Sequence, residues 1–120
     1  MSDEILREQL QLIHSNIDIV LLRFASIHKA TDFTETEEGL LILDAICMRL
    51  QSVGELVKKI LKEHPEIETN FPTVSWDSII QFRDFISHHY EKLDYEVVFD
   101  ICKNDIAVLD DAISKLTGNN

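Results

Sequence analysis

The sequence predicts an all-α protein, an antiparallel helical bundle of three long helices and one short helix. Glycine and proline are scarce, three and two in 120 residues, which favours uninterrupted helices over a turn-rich β architecture. Apolar residues recur at alternating spacings of three and four along most of the chain. That is the stripe of a helix with one buried face. Capping residues stand where the stripes begin and end.

The first helix is expected over about Asp3 to Lys29, with Leu6, Leu10, Ile13, Ile17, Val20, Phe24 and Ile27 on one face. Ala30 to Phe33 breaks the stripe. Thr34 and Glu37 form a Thr-x-x-Glu capping box that starts a second helix. Leu43, Ile46, Leu50, Val53, Val57 and Ile60 carry it to about Lys62, and Pro65 ends it. Gly54 costs about 1 kcal/mol relative to alanine in a helix interior, a cost that close approach of another backbone would explain. Residues 66–75, with Asn70 and Pro72, form a polar connection. Ser75 is placed to cap a short third helix from Trp76, with Ile79, Phe82 and Ile86 inward. Asp94 caps a fourth, carrying Val98, Cys102, Ile106, Leu109, Ile113 and Leu116, and Gly118 closes it.

One domain over residues 1–120 is the natural organisation at this length. Cys47 and Cys102 sit inside apolar helical patterns and read as buried free thiols. Met1-Ser2-Asp3-Glu4 lacks the basic start and apolar run of a secretory leader. No apolar stretch approaches the roughly 20 residues that span a bilayer, so a cytoplasmic location without membrane contact is expected. The net charge of −11 repels nucleic acid at long range, because phosphate binding draws on Lys and Arg. Any RNA site must be a local basic pocket, or its binding must be weak or assisted.

Chemistry concentrates between Arg83 and Tyr90, where Arg83, Asp84, His88, His89 and Tyr90 fall within eight residues. Arginine is a permanent cation whose planar donor fork suits phosphate oxygens. Histidine exchanges protons near neutral pH. Together they supply what metal-independent phosphodiester cleavage requires, a base for the attacking hydroxyl and a cation at the crowded phosphoryl centre. Asp84 lies four residues before His88 and is placed to orient its imidazole. Arg83 and Tyr90, seven apart, share a helical face, whereas Arg83 and His88 diverge by about 140°. Either the helix loosens before His88 or a symmetry mate completes the site. The same residues also fit an exposed helix end, with an Asp84–His88 pair and Tyr90 packed on a neighbour.

Other polar residues carry less. His88 and His89 point about 100° apart and have no zinc-ligand spacing around them, so no metal is expected. His14, His28 and His64 are scattered singly and read as surface residues. Trp76 reads as helix-start packing. Lys58, Lys59 and Lys62 form a small basic strip. Arg49 reads equally as a solvated side chain and as a cation lining a cleft opposite Arg83.

The order of short segments sharpens this. Residues 40–116 resemble the HEPN superfamily, in particular its HepT-like toxin branch. The likeness is carried by Asp44-Ala-Ile-Cys-Met-Arg-Leu-Gln-Ser-Val-Gly-Glu-Leu, Pro65-Glu-Ile, Trp76-Asp-Ser-Ile, Arg83-Asp-Phe-Ile-Ser-His-His-Tyr and Leu93-Asp94. The branch motif is Arg, four to six residues, His, and a Tyr two residues later. Arg83, His88 and Tyr90 match it at the shortest spacing. Such a resemblance implies a homodimeric, metal-independent endoribonuclease toxin with no cofactor and an RNA substrate, its cleft lined by Arg83 and His88 from both chains. Asp84 and His89 would support them. Tyr90 would accept AMP from a minimal nucleotidyltransferase antitoxin. The chain departs from the pattern at Asp84, where asparagine is commonest, and in a longer Glu68–Val74 stretch. The alternatives are a non-catalytic helical module that presents Tyr90 to the nucleotidyltransferase, and a dimeric structural protein with a decayed site, against which the intact Arg83, His88 and Tyr90 argue.

Overall fold

The structure, a computed structural model, describes residues 2–118. The bundle is built from α1 (Ser2–Phe24), α2 (Glu37–Glu63), α3 (Glu66–Asn70), α4 (Trp76–His89), α5 (Tyr95–Asp100) and α6 (Ile106–Thr117). Short 3₁₀ turns occupy Ala30–Phe33 and Tyr90–Lys92, and one wide π turn, Ile101–Asp105, joins α5 to α6. The all-α expectation therefore holds, with a fourth helix that continues through the π turn.

α2 is the hub. It packs against α1 on one side and α4 on the other, while α1 also packs against α6. The expected stripes form the core: Ile13, Ile17 and Val20 of α1 meet Ile46, Val53 and Val57 of α2 and Val98, Ile106 and Leu109 of the last helix, all essentially inaccessible to solvent. Cys47 and Cys102 are buried and free. Burial pushes each thiol up to about 12, which leaves them protonated and inert.

The ends of elements depart from expectation where tertiary contacts override the local pattern. α1 stops at Phe24 rather than near Lys29. The Asp32 carboxylate accepts the backbone N–H groups of His28 and Lys29, at 2.8 and 3.2 Å, drawing the chain out of the helix, and Phe33 is fully buried after it. Those hydrogen bonds, His28 first, hold the Asp32 carboxyl below its ordinary range. The cap of α2 moves accordingly from Thr34 to Thr36, whose hydroxyl accepts the Gly39 N–H at 2.9 Å. Ser75 occupies the cap position of α4 without a side-chain cap bond. The connection before it contains α3, anchored by buried Ile67, and is tied down by the Trp76 indole N–H donating to the Phe71 carbonyl at 2.9 Å. Asp94 caps α5 through the Glu96 N–H at 2.9 Å, and Gly118 ends α6 at φ 79°, both as expected.

His14 is not an isolated surface residue. Its Nδ1 lies 2.8 Å from the Asp110 carboxylate of α6 and its Nε2 3.3 Å from Asp18 of α1. Among the described residues no helix is long and apolar enough to cross a membrane.

Candidate functional site

α4 meets α2 along a seam of polar pairs. Arg83 faces Glu55, Gln51 donates to the Ser87 hydroxyl at 2.8 Å, and the Tyr90 hydroxyl donates to Asp44. Positions 83, 87 and 90 rise along α4 as 55, 51 and 44 fall along α2, so the helices run antiparallel and each pair sits one to two turns from the next. Gly54 makes the seam possible. A methyl group there would stand 2.9 Å from Arg83 Cγ and 3.2 Å from the Ile79 carbonyl oxygen, inside ordinary carbon contact distance. The glycine is thus kept for close approach of α4.

Arg83 is held from two sides. One terminal nitrogen bonds Asp84 at 3.0 Å and the other pairs with Glu55, while Nε is buried without an acceptor among the described residues. Asp84 in turn lies 3.7 Å from Lys58. The hydrogen bond from Arg83 holds the Asp84 carboxyl below its ordinary range, and the same bond raises the arginine. The four charges Lys58, Asp84, Arg83 and Glu55 cancel. A phosphate that reaches Arg83 competes with two carboxylates for its charge.

This arrangement overturns the expected Asp84–His88 pairing. The Asp84 carboxylate bonds one residue back to Arg83 and lies across from Lys58, two permanent cations, and makes no hydrogen bond with the exposed His88. His88 and His89 stand side by side, ring centroids 6.4 Å apart, with the Phe85 ring 5.6 Å from His89. The helix does not loosen before His88, since α4 is α-helical through His89. Arg83 therefore faces α2, while His88, five residues on, is exposed to solvent.

Tyr90 also departs from expectation. It begins the 3₁₀ turn after α4 and is 38% exposed. Burial, with the Asp44 hydrogen bond second, pushes its phenol above the ordinary tyrosine range. Its hydroxyl and the Arg83 guanidinium share a seam without converging. Their partners Asp44 and Glu55 are eleven positions apart on α2, about 16 Å along the axis. Asp44, Gln51, Glu55 and Ser87 were not singled out in the sequence. The available signal was a polar row at spacings of seven, four and three, Asp44–Gln51–Glu55–Lys58, along the second helix.

Among the described residues, one group of His, Cys, Asp or Glu side chains is close enough to share a cation, His14 with Asp18 and Asp110. Its two carboxylates address opposite ring nitrogens, an arrangement that suits an imidazolium better than a shared ion. It lies on the α1–α6 side, away from α4.

A "Ribonuclease HepT-like" family model matches residues 7–116, which takes in all of α2 and α4. "Putative RNase MJ0127" of Methanocaldococcus jannaschii is 33% identical over 79 residues, 62% of this chain and 62% of that protein. The chain thus spans about six-tenths of the length of that relative. "Putative RNase MJ1380" of the same organism is 28% identical over 78 residues, 65% of this chain and 69% of the relative. No solved structure matches significantly. With the family model covering the bundle from α1 to α6, and Arg83, His88 and Tyr90 on and just after its fourth helix, the chain belongs to the HepT-like ribonuclease family.

Proposed function

We propose that the protein is a metal-independent endoribonuclease toxin acting as a homodimer, with Arg83 and His88 as its catalytic pair. The observation that carries this is α4 itself, which fixes a half-buried Arg83 against α2 and leaves His88 exposed five residues on. A two-fold dimer that juxtaposes the two α4 helices supplies what one chain lacks, two histidines and two arginines around one phosphate. One His88 takes the proton of the 2′-hydroxyl, whose oxygen bonds to the adjacent phosphorus. The bond to the 5′-oxygen breaks, and the His88 of the other protomer protonates that leaving oxygen. Arg83 balances the charge that builds on the phosphoryl oxygens. The products are a 2′,3′-cyclic phosphate and a 5′-hydroxyl.

Control by a nucleotidyltransferase partner acts at Tyr90. The phenol oxygen attacks the α-phosphorus of ATP, pyrophosphate leaves, and Asp44 receives the proton. The adduct adds a bulky adenosine and a negative phosphodiester two residues from His88. Silencing works by blocking the approach to His88 and by repelling RNA.

A second reading is favoured by the cancelled charge around Arg83: a non-catalytic module that only presents Tyr90 to the nucleotidyltransferase. Incubation with RNA and DNA oligonucleotides in the presence of a chelator separates the two. Cyclic-phosphate ends on RNA, intact DNA and losses of roughly 100-fold or more in His88→Ala and Arg83→Ala support the ribonuclease. Full activity in either variant, or activity only with added metal, overturns it. With the partner and ATP, mass spectrometry must find AMP on Tyr90.

A further inference from the structure

We infer that Arg49 binds a second phosphate of the RNA strand, so that the strand crosses the exposed ridge of α2 between Arg49 on one wall and Arg83 on the other; this rests on the ribonuclease reading above. An open groove of about 560 Å³ runs between α1 and α2. Asn16 lies at its base and is only 5% exposed. Its amide nitrogen donates to the Leu12 carbonyl at 3.0 Å, which leaves its oxygen to accept from Arg49 Nη1 at 3.2 Å. A buried amide thus fixes a half-buried guanidinium at the groove wall.

Charge distinguishes the two arginines. Arg83 meets two carboxylates, whereas Arg49 meets only the neutral amide of Asn16 and no carboxylate among the described residues. In a chain of net charge −11, an oriented arginine that keeps its full charge is the strongest local attractor for an anion. Its remaining N–H donors face a groove whose lips include Met48, 71% exposed, and Leu12, apolar surface on which a base can lie. The groove is continuous with the polar seam, because Gln51 and Glu55 belong to both. Arg49 and Glu55, the partner of Arg83, are six positions apart on α2, about 9 Å along the axis. Phosphates two or more nucleotides apart on a single strand reach that far.

The test uses the full chain carrying His88→Ala, which binds without cutting, and a fluorescein-labelled single-stranded RNA read by anisotropy over a range of salt. Arg49→Ala weakens binding about tenfold and makes the salt dependence shallower by about 0.7, the share of one phosphate contact on a single strand. Arg49→Lys recovers most of the affinity and the slope, and Asn16→Ala falls between. In the otherwise native chain Arg49→Ala raises KM for RNA and leaves kcat near native, while Lys103→Ala, on the last helix, changes neither. Unchanged affinity and slope in Arg49→Ala, with the native chain still cutting RNA, overturn this inference and leave the ribonuclease reading standing. Conversion of a dimer to a monomer by Arg49→Ala in sedimentation also overturns it, since the arginine then serves an interface between copies. A native chain that neither binds nor cuts RNA overturns both.

Discussion

Replacing Gly54 by alanine should destabilise the protein even though it improves the helix that contains it. On propensity alone the change gains about 1 kcal/mol. Against that, the new methyl meets Arg83 Cγ at 2.9 Å and the Ile79 carbonyl oxygen at 3.2 Å, where ordinary contacts lie at about 3.5–4.0 Å. The methyl runs into Arg83 Cβ closest of all, an atom fixed to the α4 backbone, so α2 and α4 must separate by about 1 Å to restore ordinary contact. Overpacking of this kind costs about 1–3 kcal/mol, and the rigidity of these obstacles places it at the upper end. The net loss is then about 2 kcal/mol, a fall in Tm of very roughly 8 °C for a domain of this size. Urea and thermal unfolding read it, with Ser52→Ala on the exposed face of α2 as the control that gains helix propensity without a clash. RNA cleavage should fall too, because the backbone that carries Arg83 moves. A Gly54→Ala protein as stable as the native one would refute the idea that the glycine serves close approach.

Two further outcomes follow from the geometry. Hydrogen bonding to Asp110, followed by the charges of Asp110 and Asp18, outweighs burial and raises His14 above its ordinary value. Its contribution to stability is therefore fully present below the unfolded value of about 6.5 and is lost as pH rises through the folded value. His14→Gln should lower the Tm at pH 5.5 and change it little at pH 9; equal losses at both would dismiss the ion link. At Tyr90, Asp44→Asn removes the acceptor of the phenol proton, so AMP transfer should slow by roughly 100-fold, with mass spectrometry following the adduct. An unchanged rate would mean the partner enzyme supplies its own base.

The long helices were legible because their apolar residues obey one local period, and Gly54, Asp94 and Gly118 were legible because each answers a backbone requirement that the residue type itself announces. The break after Phe24 was not. Ile27 continues the stripe of α1 and is indeed buried, but from a turn that Asp32 and Phe33 hold in place, so an inward side chain did not guarantee a helical backbone. The candidate site was legible as a segment and illegible as a geometry. Arg83, His88 and Tyr90 stand in the sequence at recognisable spacing, while the groups that aim two of them, Glu55 and Asp44, come from a helix 28 and 46 residues away. The expected Asp84–His88 pair was a sound local inference that lost to fixed cations which helical spacing alone does not reveal.

The π turn at Ile101–Asp105 has a meaning for how the chain can change length. A π turn holds one residue more than an α-helix needs for the same advance, and Lys103 and Asn104 within it are exposed. Loss of either would let the last helix close into ordinary α geometry, with Val98, Ile101 and Cys102 before the deletion and Ile106, Leu109 and Ile113 after it still facing inward. The same deletion one turn later would rotate Ile113 and Leu116 by about 100° away from the core. This short stretch is therefore a site where a single codon can be lost without disturbing the packing around it.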